Sequence, residues 1–420
     1  MTPMMKQYHE AKSACGEALL LFRMGDFYEL FFDDAKVAAK VLGLTLTSRD
    51  KDSANPTAMA GFPHHQLDAY LSKLIRAGYR AAVCEQVEDP KQAKGLVRRE
   101  ITRVVSPGTL TDDGLLDPRE ANYLAAIVVQ PAAGKSNQTP LAGIAWAELS
   151  SGRFCAGCFP VSRIEDELAR IGPAEVLFRE DDGAFSPDRT ASWSWTARPA
   201  WSFAEQTSVE SLCKQFEVRS LEGFGFRDED GPAVRAAGAV LAYLQETQPG
   251  GLEHVRELLA HHRSAVLEMD ASTRRSLEIT RTLRTASRAG SLVEAIDLTC
   301  TSAGSRMLSD WIAAPLIEPG RIDERHDAIE EFTRHASART ELRDRLKRTF
   351  DLSRLLGRVA TARTGPRDLQ QVGRTLEGIP TLKAKLAGRD PKRLQFLESH
   401  LHLCPQLRSE LEAALADECP

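Results

Sequence analysis

Cysteine is scarce: eight residues in 420, at positions 15, 84, 155, 158, 213, 300, 404 and 419. Spread so thinly through a chain this long, they form no disulfide framework. They read as reduced thiols, and the expected compartment is cytoplasmic. Long apolar runs are also missing. The longest, such as residues 19–22 and 124–129, are too short to span a bilayer, and residues 1–6 lack the apolar stretch of a signal peptide. A membrane partner and secretion are therefore not expected. Nor is there an excess of positive charge. The 54 Lys and Arg face 59 Asp and Glu, a net of −5, which excludes a uniformly basic nucleic-acid binder. A local basic face stays open, because residues 1–110 carry 15 basic against 13 acidic side chains and residues 270–370 carry 18 against 15. What is present is ordinary for a globular protein: 42% apolar and 27% charged residues. The length suggests two or three domains at ~150 residues each.

Local patterns divide the chain. Thr2-Pro3 reads as an N-cap followed by proline at the first helical position, predicting a helix over 3–14. Residues 18–24 read as a buried strand, ended by the turn signal Gly25-Asp26. Apolar spacing predicts a helix from Asp33 to Gly43, a strand over 44–47, a helix over 67–75 closed by Gly78, and strands over 80–86 and 101–105. This alternation predicts a mixed α/β domain over 1–115. A second α/β unit is expected over 118–250, with strands at 122–129 and 141–149, a hairpin into 153–159, and a helix from Gly231-Pro232 to about 246. Pro249-Gly250-Gly251 is the best linker signal. After Met269 the pattern predicts long amphipathic helices, an all-α unit over 260–420. Residues 407–416 still read as helix where the chain stops, so a fragment of a longer protein is expected.

The densest aromatic stretch is Phe22 to Phe32, with five of the 27 aromatics in eleven residues. Two readings are open. Asp26-x-x-Glu29 fits a capping box, with the rings as core. Alternatively the segment is extended, so that Phe27 and Glu29 point the same way. An apolar ring can then enter a base stack while the carboxyl reaches the displaced base, at an unstacking cost of a few kcal/mol that is lowest where pairing is already faulty.

The stretch Gly25-Asp26-Phe27-Tyr28-Glu29 resembles the mismatch-recognition motif of the MutS family of DNA mismatch-repair proteins. The likeness continues, in order, through Met59-Ala60-Gly61-Phe62-Pro63, Cys84-Glu85-Gln86-Val87, Gly95-Leu96-Val97-Arg98-Arg99-Glu100, and Thr102 to Thr109 (TRVVSPGT). Beyond these come Asn122 to Ile127, Ser150 to Phe154, Asp270 to Glu278, Gly304 to Leu308 and Pro366 to Leu369. The resemblance implies that Phe27 stacks on a mispaired or unpaired base from the minor groove, that Glu29 hydrogen-bonds it, and that the DNA kinks there. It implies three domains: a mismatch-recognition domain, a connector with an RNase H-like fold, and a helical core with lever arms. It also implies mismatched double-stranded DNA as partner, a homodimer, and downstream mismatch-repair proteins. Testing deformability requires a grip on the backbone. Lys91, Lys94, Arg98 and Arg99 form the best local basic cluster, and Met59 is placed beside the recognition site. An ionised carboxylate only accepts hydrogen bonds, so bonding a purine ring nitrogen requires Glu29 to be protonated in the dry complex.

Other motifs are weaker. Gly134-Lys135-Ser136 lacks the glycine of a P-loop, having Val129 in its place. No cofactor and no catalytic site are therefore expected on this chain, and ATP and Mg only with the family's ATPase domain, which is not in this sequence. Cys155 and Cys158 form a lone CxxC; His400, His402 and Cys404 could ligate a metal if the segment is extended but would fan around the axis of a helix; Gly223-Phe224-Gly225 reads as a turn. A two-metal nuclease would need several clustered carboxylates, and Glu148 has no obvious partners. Two rival functions stand beside mismatch sensing: an architectural DNA-junction binder of the same family, and a scaffold that binds repair proteins.

Overall fold

A computed structural model describes residues 2–48, 56–88, 95–130, 140–181, 193–249, 251–261 and 266–416. Lys91, Lys94 and the Gly134-Lys135-Ser136 segment lie outside them. The chain opens with α1 (Pro3–Cys15), whose N-cap Thr2 hydroxyl accepts from the Met5 N–H. There follow β1 (Leu19–Met24), β2 (Phe27–Phe31), α2 (Phe32–Leu42), β3 (Thr47–Ser48), β4 (Ala58–Pro63), α3 (Leu67–Arg76), β5 (Ala81–Gln86) and β6 (Arg99–Val105). The strands form one mixed sheet in the order β3-β4-β2-β1-β5-β6. Strand alternation sends Leu19, Leu21, Tyr28 and Leu30 toward α2 and α3, while Leu20, Phe22 and Phe31 pack with Met4 and Tyr8 of α1. Two expectations fail here. Residues 26–29 make a turn and a strand, so the capping-box reading is wrong. Residues 44–46 join no ladder, and β3 is only the pair Thr47–Ser48.

The second sheet holds β7 (Leu124–Gln130), β8 (Leu141–Glu148), β9 (Arg153–Pro160), β10 (Glu175–Arg179), β11 (Ser194–Arg198) and β12 (Leu259–Ala260), in the order β11-β10-β7-β8-β9-β12. Helix α4 (Ile164–Ile171) covers one face; α5 (Glu205–Gln215) and α6 (Gly231–Thr247) cover the other. The body does not end at Pro249–Gly251: Leu252, Val255 and Leu258 complete its core, and β12 pairs with β9. Cys155 and Cys158 sit three apart on β9, so their thiols join the cores on opposite faces and cannot share a ligand.

The remainder is helical: α7 (Ala271–Ser276), α8 (Leu292–Ile296), α9 (Ser302–Ala313), α10 (Pro319–Arg334), α11 (Ala336–Leu346), α12 (Leu352–Ala360), α13 (Pro366–Leu386), α14 (Lys392–His400) and α15 (Pro405–Ala414). The expected long helices are mostly short ones; among the described residues of this region only α10, with 16 residues, and α13, with 21, exceed twelve. Among the described residues no helix is long and apolar enough to cross a membrane.

Buried charge and polar loops join these elements. The Ser106–Thr109 loop after β6 is captured by Glu175 of β10, fully buried, which accepts from Ser106 Oγ, from the Gly108 N–H at 3.0 Å, from Thr196 Oγ1 at 2.6 Å and from Tyr243 OH at 2.9 Å. Arginines of the helical region grip the segment that follows. Arg354 donates to the Asp117 and Glu120 carbonyls and pairs with Glu148 at 3.1 Å, both side chains only 4% exposed. Arg306 reaches the Pro118 carbonyl and Asp351, and Arg358 pairs with Asp113 and Asp368. Asp112 is shared between Arg103 of β6 at 2.9 Å and Arg363 at 3.1 Å. Glu148, for which the sequence suggested no partner, is thus held by a guanidinium and by the hydroxyls of Ser150 and Ser151.

Breaking a buried pair leaves one charge uncompensated, at a cost of about 3–5 kcal/mol. Arg354→Met should therefore lower the urea midpoint by that equivalent, and adding Glu148→Gln should restore some of it. Additive effects in the double variant would show that the two groups do not interact.

Candidate nucleic-acid interface

Hydrophobic strand residues normally disappear into the core, and β2 obeys this except at its first position. Tyr28, Leu30 and Phe31 are at most 1% exposed, whereas Phe27 is 48% exposed. The cause is register. Met24 pairs with Phe27 across a two-residue turn, with Gly25 at φ +58° and Asp26 at ordinary negative φ, the glycine-first pattern of a type II′ hairpin. Phe27 therefore leaves the turn on the α1 side of the sheet, beyond the last apolar cover. Glu29, two residues on, follows on the same face and is half-buried.

The partner strand makes room for that carboxylate. Glu29 faces Gly61 of β4, and a Cβ at Gly61 would lie 2.9 Å from the Tyr28 carbonyl oxygen and 3.5 Å from Glu29 Cγ. Met59, next on that face, is partly buried and packs at the rim of the core between α1 and the sheet. On the opposite face the strand is fixed by polar contacts. The Tyr28 hydroxyl donates to Glu85, and burial together with that carboxylate pushes it well above the usual phenol range. Arg23 pairs with the same Glu85 at 3.4 Å. Burial likewise pushes the Cys84 thiol up to about 12, leaving it protonated and inert at neutral pH.

The basic cluster divides. Arg98 is exposed and paired with Glu100, a weak surface contact that an anion can displace. The Arg99 side chain is turned inward, donating to the Arg23 carbonyl at 2.7 Å, Gln7 Oε1 at 3.1 Å and the Val97 carbonyl at 2.9 Å. The arrangement offers one protruding apolar ring, an acidic group beside it and a displaceable cation at the edge.

Family models match nearly the whole chain in order: MutS domain I over residues 2–114, MutS domain II over 122–256 and MutS domain III over 272–420. The chain belongs to the MutS family. It is 66% identical over 432 residues to the DNA mismatch repair protein MutS of Rhodopirellula baltica, covering 100% of this chain and 48% of that protein. Proteins of the same name from Syntrophomonas wolfei and Thermosynechococcus vestitus are each 39% identical, covering 100% of this chain and 49% of theirs. The chain thus spans about half the length of the curated relatives it matches.

Several residues around Phe27 carry no site signal of their own in the sequence: Gly61 and the polar group of Arg23, Glu85, Gln86 and His64. Glu85, Gln86 and Gly61 lie in motifs that the family resemblance marks, and that is the available signal. Because backbone, rather than a flexible side chain, blocks a Cβ at Gly61, Gly61→Ala should destabilise the first sheet by about 1–3 kcal/mol, read from its urea midpoint. A neutral result would mean that β4 shifts freely and does not define the space beside Glu29.

Proposed function

We propose that this chain senses mispaired or unpaired bases in duplex DNA, within DNA mismatch repair. The observation that carries the reading is the half-exposed Phe27 ring, presented at the first position after a tight turn with Glu29 on the same face. In this reading the ring enters the minor groove and unstacks one base step, the carboxyl of Glu29 hydrogen-bonds the displaced base, and the DNA kinks. A fixed wedge measures how readily a step deforms, which is lowest in cost where pairing is faulty. Arg98, with Lys91 and Lys94, supplies phosphate contacts, and Met59 lies close to the groove. The strand order β9-β8-β7-β10-β11, three antiparallel strands followed by two parallel ones, supports an RNase H-like connector. The helical remainder is read as core and lever. In the longer relatives, we further infer, the sensor works in a cytoplasmic dimer, coupled to an ATPase with ATP and Mg, and signals to downstream repair proteins.

Burying a phenylalanine ring contributes about 1.5–3 kcal/mol, or roughly ten- to hundredfold in affinity. Phe27→Ala should therefore abolish the preference for mismatched over matched duplex in a titration while leaving most of the salt-dependent background binding. Full retention of preference would exclude the wedge. Glu29→Gln should keep or improve affinity and blur discrimination, since an amide donates without needing a proton. A large loss of affinity would contradict that role.

A further inference from the structure

The turn that presents Phe27 is held by side chains from elsewhere in the first sheet. The Arg23 carbonyl accepts from Arg99 Nε at 2.7 Å. With the Gln86 amide oriented to meet both donors, its oxygen accepts from the Gly25 N–H at 3.2 Å and from Arg99 Nη2 at 3.3 Å. The Gly25 carbonyl accepts from Arg23 Nε, and the Asp26 carbonyl from the His64 N–H at 2.8 Å. Arg99 Nη1 is engaged by Gln7 and Val97, and Arg99 Cζ lies 5.3 Å from the Phe22 ring centroid. All three guanidinium nitrogens thus donate inside the protein.

We infer that Arg99, acting with Gln86, is a positioning residue: it holds the Gly25-Asp26 turn so that Phe27 stands rigidly out, and it is not the phosphate contact its sequence neighbourhood suggested. The inference rests on the wedge reading for its meaning, but the geometry stands without it. Fixing a residue's backbone costs conformational entropy, and a turn ordered before contact has already met that cost. A ring on a loose turn would fold back and lose the difference between a sound and a faulty base step. An ammonium cannot replace this fork, because the carbonyl, two side-chain amides and a second carbonyl are served in fixed directions by one planar group.

The test separates position from charge in two measurements. On the free chain, hydrogen exchange at residues 24–28 should accelerate at least tenfold in Arg99→Lys and in the milder Gln86→Ala, with the β1–β5 ladder still protected. In titrations with matched and mismatched duplex over a range of salt, Arg99→Lys and Arg99→Gln should lose mismatch preference equally, at least fivefold, with no change in the slope of log affinity against log salt on matched DNA. Arg98→Ala provides the comparison and should lower that slope by about one. Unchanged exchange at the turn overturns the inference. So does wild-type preference in Arg99→Lys together with a slope lowered by about one in Arg99→Gln, which is the signature of a phosphate contact. Should Phe27→Ala itself leave preference intact, the wedge reading falls, while the exchange data still decide whether Arg99 orders the turn.

Discussion

A two-residue connection between β1 and β2 governs the molecule's most informative surface. Side chains alternate along a strand, so one residue more or fewer in that turn would bury Phe27 and expose Tyr28. The register is set from both sides, Phe27 lying opposite Met24 on β1 and opposite Pro63 on β4. The exposed ring is therefore a result of ladder geometry, with the sheet core below it closed by Tyr8, Phe22 and Phe31 packed edge-to-face around α1. The same ladder places a residue without a side chain opposite Glu29, which keeps the space above the strand open.

Farther away the fold relies on a different balance of forces. Where the two sheets and the helices meet, apolar packing gives way to buried carboxylates and guanidiniums with several partners each. Glu175 alone satisfies donors from the first sheet's exit loop, from β11 and from α6. Two donors of Ser106-Pro107-Gly108-Thr109, the Ser106 hydroxyl and the Gly108 N–H, are thus complementary to one buried carboxylate. Such sites add little net stability over a hydrophobic equivalent, but they tolerate few alternative arrangements.

Much of this was legible from residue order. The Thr2 cap, the helical stripes of α2 and α3, the strands on either side of Ser150-Ser151-Gly152 and the Gly231-Pro232 start of α6 all carry strong local signals. The strand β2 was ambiguous because Asp26 and Glu29 have the spacing of a cap as well as of an alternating strand; pairing with two neighbours, a nonlocal effect, decides it. The strand β4 carries little sequence signal because Gly61 and Pro63 weaken its pattern, although both are accommodated near its end. Leu44 to Leu46 alternate suitably but find no partner. Arg98 and Arg99 look like one cluster in the sequence, yet adjacent residues of an extended chain face opposite ways, so one meets solvent and the other the interior. Glu148 gained its partner from a residue 206 positions later, a distance over which sequence pattern is silent.

One oxygen of Asp112, Oδ2, accepts from guanidiniums of two separate regions of the fold, Arg103 and Arg363. Burial and the nearness of Arg103 pull Arg363 down to about 10, while the Asp112 carboxylate acts in the opposite direction. Arg363 also touches Gln248 at the end of α6, which brings the second sheet into the same knot. A swivel of the helices against the first sheet would have to pull a guanidinium away from the carboxylate it shares. The helical region and the sheet bearing Phe27 are thus fastened at one anion that two guanidiniums share.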